Sequence, residues 1–150
     1  MLDELAEILD TAIYKEIASQ AIYIAGQSQT PDPDARALMK ELAEEELKHA
    51  EWLKRLKEKR EKLDWHREKI LNLKISEYLT GGDTVVGAGL QDTLIFAIKR
   101  EQQSIEFYSK MMGVMRSRSA KRLCQRLARD ELKHKLKLEI FYDDFVYMED

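Results

Sequence analysis

The chain is poor in everything that cross-links or punctuates a small protein. It has one cysteine, two prolines and six glycines in 150 residues. The lone Cys124 excludes an internal disulfide framework, a four-cysteine metal site and a CxxC redox pair. A single cysteine fits a reducing compartment. Charge of one sign is also lacking: 25 Lys and Arg stand against 28 Asp and Glu, a formal net charge of −3. A nucleic-acid coat or a polybasic membrane binder needs a clear positive excess, so neither fits. No apolar run approaches the ~18 residues of a spanning helix. The opening MLDELAEILD is acidic and amphipathic, unlike a signal peptide. A cytoplasmic protein with no nucleic-acid and no membrane partner is therefore expected. What is present is 44% hydrophobic residues, enough for one domain to bury a core of its own.

The few breakers cluster in TPDPD at 30–34 and TGGDTVVGAGL at 80–90. Elsewhere the apolar period is helical. Leu2, Leu5, Leu9, Ala12, Glu16, Ser19 and Tyr23 form one seam. Met39, Leu42, Glu46, His49, Leu53 and Leu56 form a second, with Asp34 as the expected N-cap. The third helix starts near Gln91 and carries Leu94, Ala97 or Ile98, Glu101, Ser104, Tyr108, Met111 or Met112, and Met115. The fourth, capped by Ser117 or Ser119, carries Cys124, Leu127, Glu131, His134 and Leu138, and Phe141, Phe145 and Met148 continue its seam. The links within each half are short and the link between halves is long. The expectation is an all-α, antiparallel four-helix bundle of the ferritin-like kind, two helical hairpins joined by one long crossover. Hairpin 1 covers about 1–63, the crossover about 64–89 with a helical stretch at 66–79, and hairpin 2 about 90–150.

The halves are a repeat. At an offset of 85 without gaps, 9–23 match 94–108 at six of fifteen positions and 35–49 match 120–134 at eight of fifteen. Glu-Leu-Lys-His occurs at 46–49 and again at 131–134. A duplicated hairpin folds most simply about an approximate two-fold axis, and a site on that axis receives equivalent residues from both halves.

Six polar residues lie on the apolar seams: Glu16, Glu46, His49, Glu101, Glu131 and His134. A carboxylate pointing into a bundle core is costly unless paired or bound to metal. Glu and His at i and i+3 share one helix face, and a Glu on an adjacent helix can reach the same point. Two single Glu plus two Glu-x-x-His is the ligand pattern of di-iron and di-manganese carboxylate bundles. The expected bridging carboxylates are Glu46 and Glu131, and the terminal ones Glu16 and Glu101. His49 and His134 complete the two shells as neutral ligands. Tyr23 and Tyr108, two turns beyond Glu16 and Glu101, are expected to hydrogen-bond a bridging carboxylate. Ser19 and Ser104 are small enough to leave room for an exogenous ligand. Glu45 and Asp130 fall on the solvated face by register. Trp52 reads as packing, Cys124 as a buried apolar group and His66 as surface.

With these residues the chain resembles the rubrerythrins, ferritin-like di-iron proteins. The stretches KEIASQAIY, LAEEELKHAEWL, AIKREQQSIEFY and LARDELKHKLKLE match that family's motif regions in order. The resemblance implies two iron ions held by Glu16, Glu46, His49, Glu101, Glu131 and His134, reacting with hydrogen peroxide or O₂. A di-manganese or mixed pair suits the same ligands. A ferroxidase that oxidises Fe(II) is the alternative activity, and a metal-free helical interaction module a third reading. Rubrerythrins usually carry a four-cysteine rubredoxin module, which one cysteine cannot build. The electron donor is then a separate protein such as a rubredoxin. The usual further Glu on the third helix is replaced by Ser104, which implies a more symmetric site with one terminal Glu and one His per metal. A homodimer is the default assembly for such a bundle.

Overall fold

The computed structural model describes residues 3–66 and 89–149. Among them are four α-helices: α1 (Glu4–Gly26), α2 (Pro33–Glu58), α3 (Leu90–Val114) and α4 (Arg118–Glu149). A 3-10 turn, Arg60–Lys62, follows α2. The expected four-helix bundle forms. The predicted helical stretch within the crossover, apart from His66 at its start, lies outside the described residues, as do Leu2 and the side chain of Met148.

Local signals set the helix ends. Asp3 caps α1, its Oδ1 accepting from the Ala6 amide at 3.0 Å. Glu4 and Glu7 add negative charge to the first turn, where the helix dipole favours it. The N-cap of α2 is Asp32, not the expected Asp34: Asp32 Oδ1 accepts from the Asp34 amide at 3.3 Å. The reason is Pro33, which takes the first helical position, where no amide is needed. Ser117 stands immediately before α4, and its carbonyl accepts from the Lys121 amide at 3.0 Å. α4 runs 32 residues, because the aromatic C-terminal segment continues the helix.

Each hairpin is antiparallel. Arg60 Nε reaches Asp3 Oδ2 at 2.6 Å and Lys57 Nζ reaches Asp10 Oδ1 at 2.6 Å, tying the end of α2 to the start of α1. At the other end of this hairpin Gly26 lies against α2. A Cβ there would stand 3.1 Å from Met39 Sδ, so a larger residue would require the Met39 side chain to shift. The second hairpin begins at that same end, with Thr93 Oγ1 donating to Gln29 Oε1 at 2.8 Å. It finishes α3 at the opposite one, where the His66 amide donates to Val114 O at 2.6 Å. Residues 66 and 89 therefore lie the length of α3 apart, ~37 Å at 1.5 Å per residue, the span of a long crossover. His66 is half-buried rather than on the surface. Its ring accepts from Arg116 Nε at 3.0 Å.

The core is two apolar clusters with a polar layer between them. One holds Leu5, Leu9, Leu53, Phe107, Met111 and Leu127 with the buried Cys124. The other holds Met39, Leu42, Leu90, Leu94 and Leu138. Burial pushes the Cys124 thiol up to about 12, so it behaves as the apolar group expected. Between the clusters lie the four glutamates and two histidines of the seams.

The capping assignment has a direct test. Asp32→Ala should lower unfolding free energy by about 1 kcal/mol. Asp34→Ala, which removes only first-turn charge, should cost ~0.3–1 kcal/mol. Urea denaturation that ranked the two the other way would restore Asp34 as the cap.

Candidate metal centre

The six seam residues meet at the middle of the bundle, each at most 1% exposed. α1 supplies Glu16, α2 supplies Glu46 and His49, α3 supplies Glu101, and α4 supplies Glu131 and His134. They form two groups with donor atoms within 4.8 Å of one another. One is Glu16, Glu46, His49 and Glu131; the other is Glu46, Glu101, Glu131 and His134. Glu46 and Glu131 belong to both, the arrangement expected of bridging carboxylates. His49 Nδ1 stands 2.9 Å from Glu131 and 3.4 Å from Glu16. His134 Nδ1 stands 2.8 Å from Glu46 and 3.6 Å from Glu101. The two imidazoles stack across the centre, 5.7 Å between centroids and 14° from parallel.

Among the described residues, eight buried side-chain polar atoms have no hydrogen-bond partner, and all eight belong to these six residues. They are both oxygens of Glu46, both of Glu131, Oε2 of Glu16 and of Glu101, and Nδ1 of each histidine. The distribution matches a binuclear site: two donor atoms on each shared glutamate, and one on every other ligand. An orphaned buried atom costs ~1–3 kcal/mol; four of these eight face one another in the histidine–glutamate contacts above, and the other four are carboxylate oxygens without a donor. Two divalent cations would satisfy all eight and offset four carboxylate charges, so the residues fit the metal pair.

The remaining atoms of the ligands are held from behind. Tyr23 Oη donates to Glu101 Oε1 at 2.5 Å, and Tyr108 Oη donates to Glu16 Oε1. Each tyrosine thus reaches across to the glutamate of the other hairpin. This corrects the expectation that they bond the bridging carboxylates. The spacing along one helix gave the right face but not the partner, which lies on the antiparallel neighbour. With Oε1 pinned, Oε2 of Glu16 and of Glu101 is left to bind, as the expected terminal role would require. Burial first, then the facing carboxylate charge, holds both phenols well above their ordinary range, so they stay donors.

Glu45 and Asp130 are half-buried and engaged by the site rather than free on the solvated face, which is a second correction. Asp130 Oδ2 lies 3.1 Å from His49 Nε2, and Glu45 Oε2 is bonded to His134 Nε2. With the proton on Nε2, each imidazole presents Nδ1 to the centre, and the carboxylate fixes that tautomer. The bond again crosses between hairpins. The signal was available: positions 45 and 130 are repeat equivalents and both acidic. The Ser19 hydroxyl accepts from Arg100 Nε at 3.4 Å, so a buried arginine stands beside that small residue. Arg100 and its repeat equivalent Lys15 are both buried beside the site between α1 and α3. Burial, and then the Arg100 charge, bring Lys15 down to about 8.

The rubrerythrin family model matches residues 7–142. The chain belongs to the rubrerythrin family. No curated protein and no solved structure matches it significantly. In this rubrerythrin-family chain the one cysteine is buried in the bundle core. Among the described residues no helix is long and apolar enough to cross a membrane.

In the metal-free protein, protons stand in for cations. Burial and the Glu131 charge hold Glu46 well above the usual carboxylate range, and burial and the Glu101 charge do the same for Glu131. Burial works against the charged form of His134, but Glu101 and Glu131 outweigh it and push the ring up to about 9. Burial likewise opposes His49, but Glu16 and Asp130 raise it. Burial would raise Glu16, yet contacts from Glu46 and His49 hold it below its ordinary value. The His134 ring, at about 9, carries a proton at pH 7, and a cation must displace it. Loading with Fe(II) or Zn(II) at pH 7 should therefore release protons, and affinity should rise with pH. Calorimetry in buffers of different ionisation enthalpy reads this directly, and zero release would refute it. Asp130→Ala and Glu45→Ala should each weaken metal affinity by about 10–100-fold. Unchanged affinity in a competition titration would return both residues to the surface class.

Proposed function

We propose that the protein is a cytoplasmic, rubrerythrin-type non-haem di-iron oxidoreductase that reduces hydrogen peroxide, or O₂, with electrons from a separate donor protein. The observation that carries this reading is the sharing of Glu46 and Glu131 between two four-residue ligand groups, in a chain of this family. Two ferrous ions held there would supply one electron each to a peroxide, which with two protons leaves as two waters.

The chain's own part is positioning and charge. Glu46 and Glu131 offer both oxygens and fix the spacing of the pair. Tyr23 and Tyr108 hold Glu101 and Glu16 to one free oxygen each. Asp130 and Glu45 keep the proton of each histidine on the outer nitrogen. Apolar clusters above and below exclude bulk water, so charges at the centre are weakly screened.

The surroundings favour resident iron over Fe(II) as a substrate in transit. Lys15 and Arg100 lie on the α1–α3 side of the site, and Lys48, Arg126, Lys133 and Lys137 line a pocket on the α2–α4 side. The buried cations on the α1–α3 side oppose passage of Fe(II) there and admit neutral peroxide, while Glu45 and Asp130 stand among the cations of the α2–α4 pocket. The outward Tyr14, Ile17 and Ile24 of α1, all exposed apolar residues, are what a homodimer of this chain would cover.

Stopped-flow mixing of the Fe(II)-loaded protein with peroxide tests the activity. Peroxide should disappear faster than with free Fe(II) at equal concentration. The Glu46→Ala, Glu131→Ala double variant should lose that advantage. Equal rates for the two proteins would reject the proposal.

A further inference from the structure

The α2–α4 side of the centre carries a cavity of about 230 Å³ whose floor includes His49 and Trp52. Two features single it out. The first is an aromatic path inward. The Arg126 guanidinium lies over the Trp52 ring at 5.3 Å from its centroid. Trp52 is half-buried, and its ring centroid stands 5.3 Å from that of His49. His49 in turn stacks on His134. A conjugated ring thus leads from the surface to a ligand imidazole without a gap. The path exists on one side only, because the repeat equivalent of Trp52 is Lys137, whose Nζ is held by Glu41 at 2.6 Å.

The second feature is charge. Lys48 and Lys133, repeat equivalents on α2 and α4, are exposed at the cavity rim. Neither has an ion-pair partner among the described residues. They form a positive rim on a chain of net charge −3. The carboxylates at the floor, Asp130 and Glu45, are engaged by the histidines. A small anion entering the cavity would meet those carboxylates. An acidic surface resting on the rim would meet the lysines and leave the floor untouched.

We infer that this face is the docking site of an acidic one-electron carrier protein and that Trp52 is the residue through which its electron reaches the centre by way of His49. The inference rests on the di-iron reading and gives its donor a place and a route. Two reduced carriers dock in turn, each losing one electron, and each electron reduces one iron of the oxidised pair. No bond forms between the proteins. Electrostatic docking of this kind sets the association rate and weakens with salt.

Two arms test it. In the first, redox-inert zinc-substituted rubredoxin, an acidic carrier, is titrated by NMR into the full chain, both metal-free and Zn(II)-loaded, at low ionic strength. Cytochrome c, a basic carrier, serves as the control. Rubredoxin should bind and cytochrome c should not. Lys48→Glu with Lys133→Glu should weaken rubredoxin binding by about tenfold or more. Both lysines are exposed, so the fold is not at risk. In the second arm, reduced rubredoxin is mixed with the oxidised di-iron protein. Trp52→Leu, compared at matched metal content and saturating rubredoxin, should slow reduction by rubredoxin by more than it slows reduction by a neutral small-molecule reductant. Trp52→Phe, which keeps a ring, should recover part of the rate. Binding insensitive to the lysine reversals, equal binding of cytochrome c, or an unaltered transfer rate in Trp52→Leu would each overturn the inference. A protein that takes up no iron, or whose iron is not reduced by the small molecule, would instead sink the di-iron reading. The binding arm does not depend on that outcome.

Discussion

Four carboxylates buried at the centre of an apolar bundle are the constraint on which the structure depends. Such a cluster cannot persist as four bare charges, because both desolvation and mutual repulsion oppose it. The fold can hold it in two ways. Without metal, burial and mutual repulsion push the shared pair Glu46 and Glu131 toward their protonated forms. Divalent cations neutralise the whole set when they are bound. Protons can pair the histidine nitrogens with the glutamates beside them, whereas two cations would satisfy all eight atoms left without hydrogen bonds.

Duplication explains how one short motif builds a binuclear centre. Each hairpin carries one terminal glutamate, one Glu-x-x-His, one tyrosine and one acidic residue before the ligand glutamate. The supporting bonds then cross between hairpins: Tyr108 to Glu16, Tyr23 to Glu101, Asp130 to His49 and Glu45 to His134. A single hairpin has the ligands but lacks their supports. Symmetry is broken where the partners of the centre differ. Trp52 lines the outer side of one histidine while Lys137 stands at the equivalent position.

The seams were legible because helical periodicity and an offset of 85 identify inward positions independently. The six converging residues, the two apolar clusters and the bundle topology all follow from them. What the sequence concealed lies one step outside the seam. Glu45 and Asp130 each precede a ligand by one residue, ~100° around the helix, where a single-helix reading places solvent. The neighbouring helix crosses there instead and brings a histidine to them. For Tyr23 and Tyr108 the helical spacing gives the direction but not the carboxylate, since hydroxyl and acceptor lie 78 and 92 residues apart. The cap of α2 lies two residues before Asp34 because Pro33 is a helix-starting residue rather than a breaker.

The central claim is that the six ligands hold two metal ions sharing Glu46 and Glu131. Iron analysis joined to Mössbauer spectroscopy of anaerobically purified, air-oxidised protein addresses it most directly. The account predicts two irons per chain, present as a spin-coupled ferric pair. One iron per chain, or two that are magnetically independent, would contradict it.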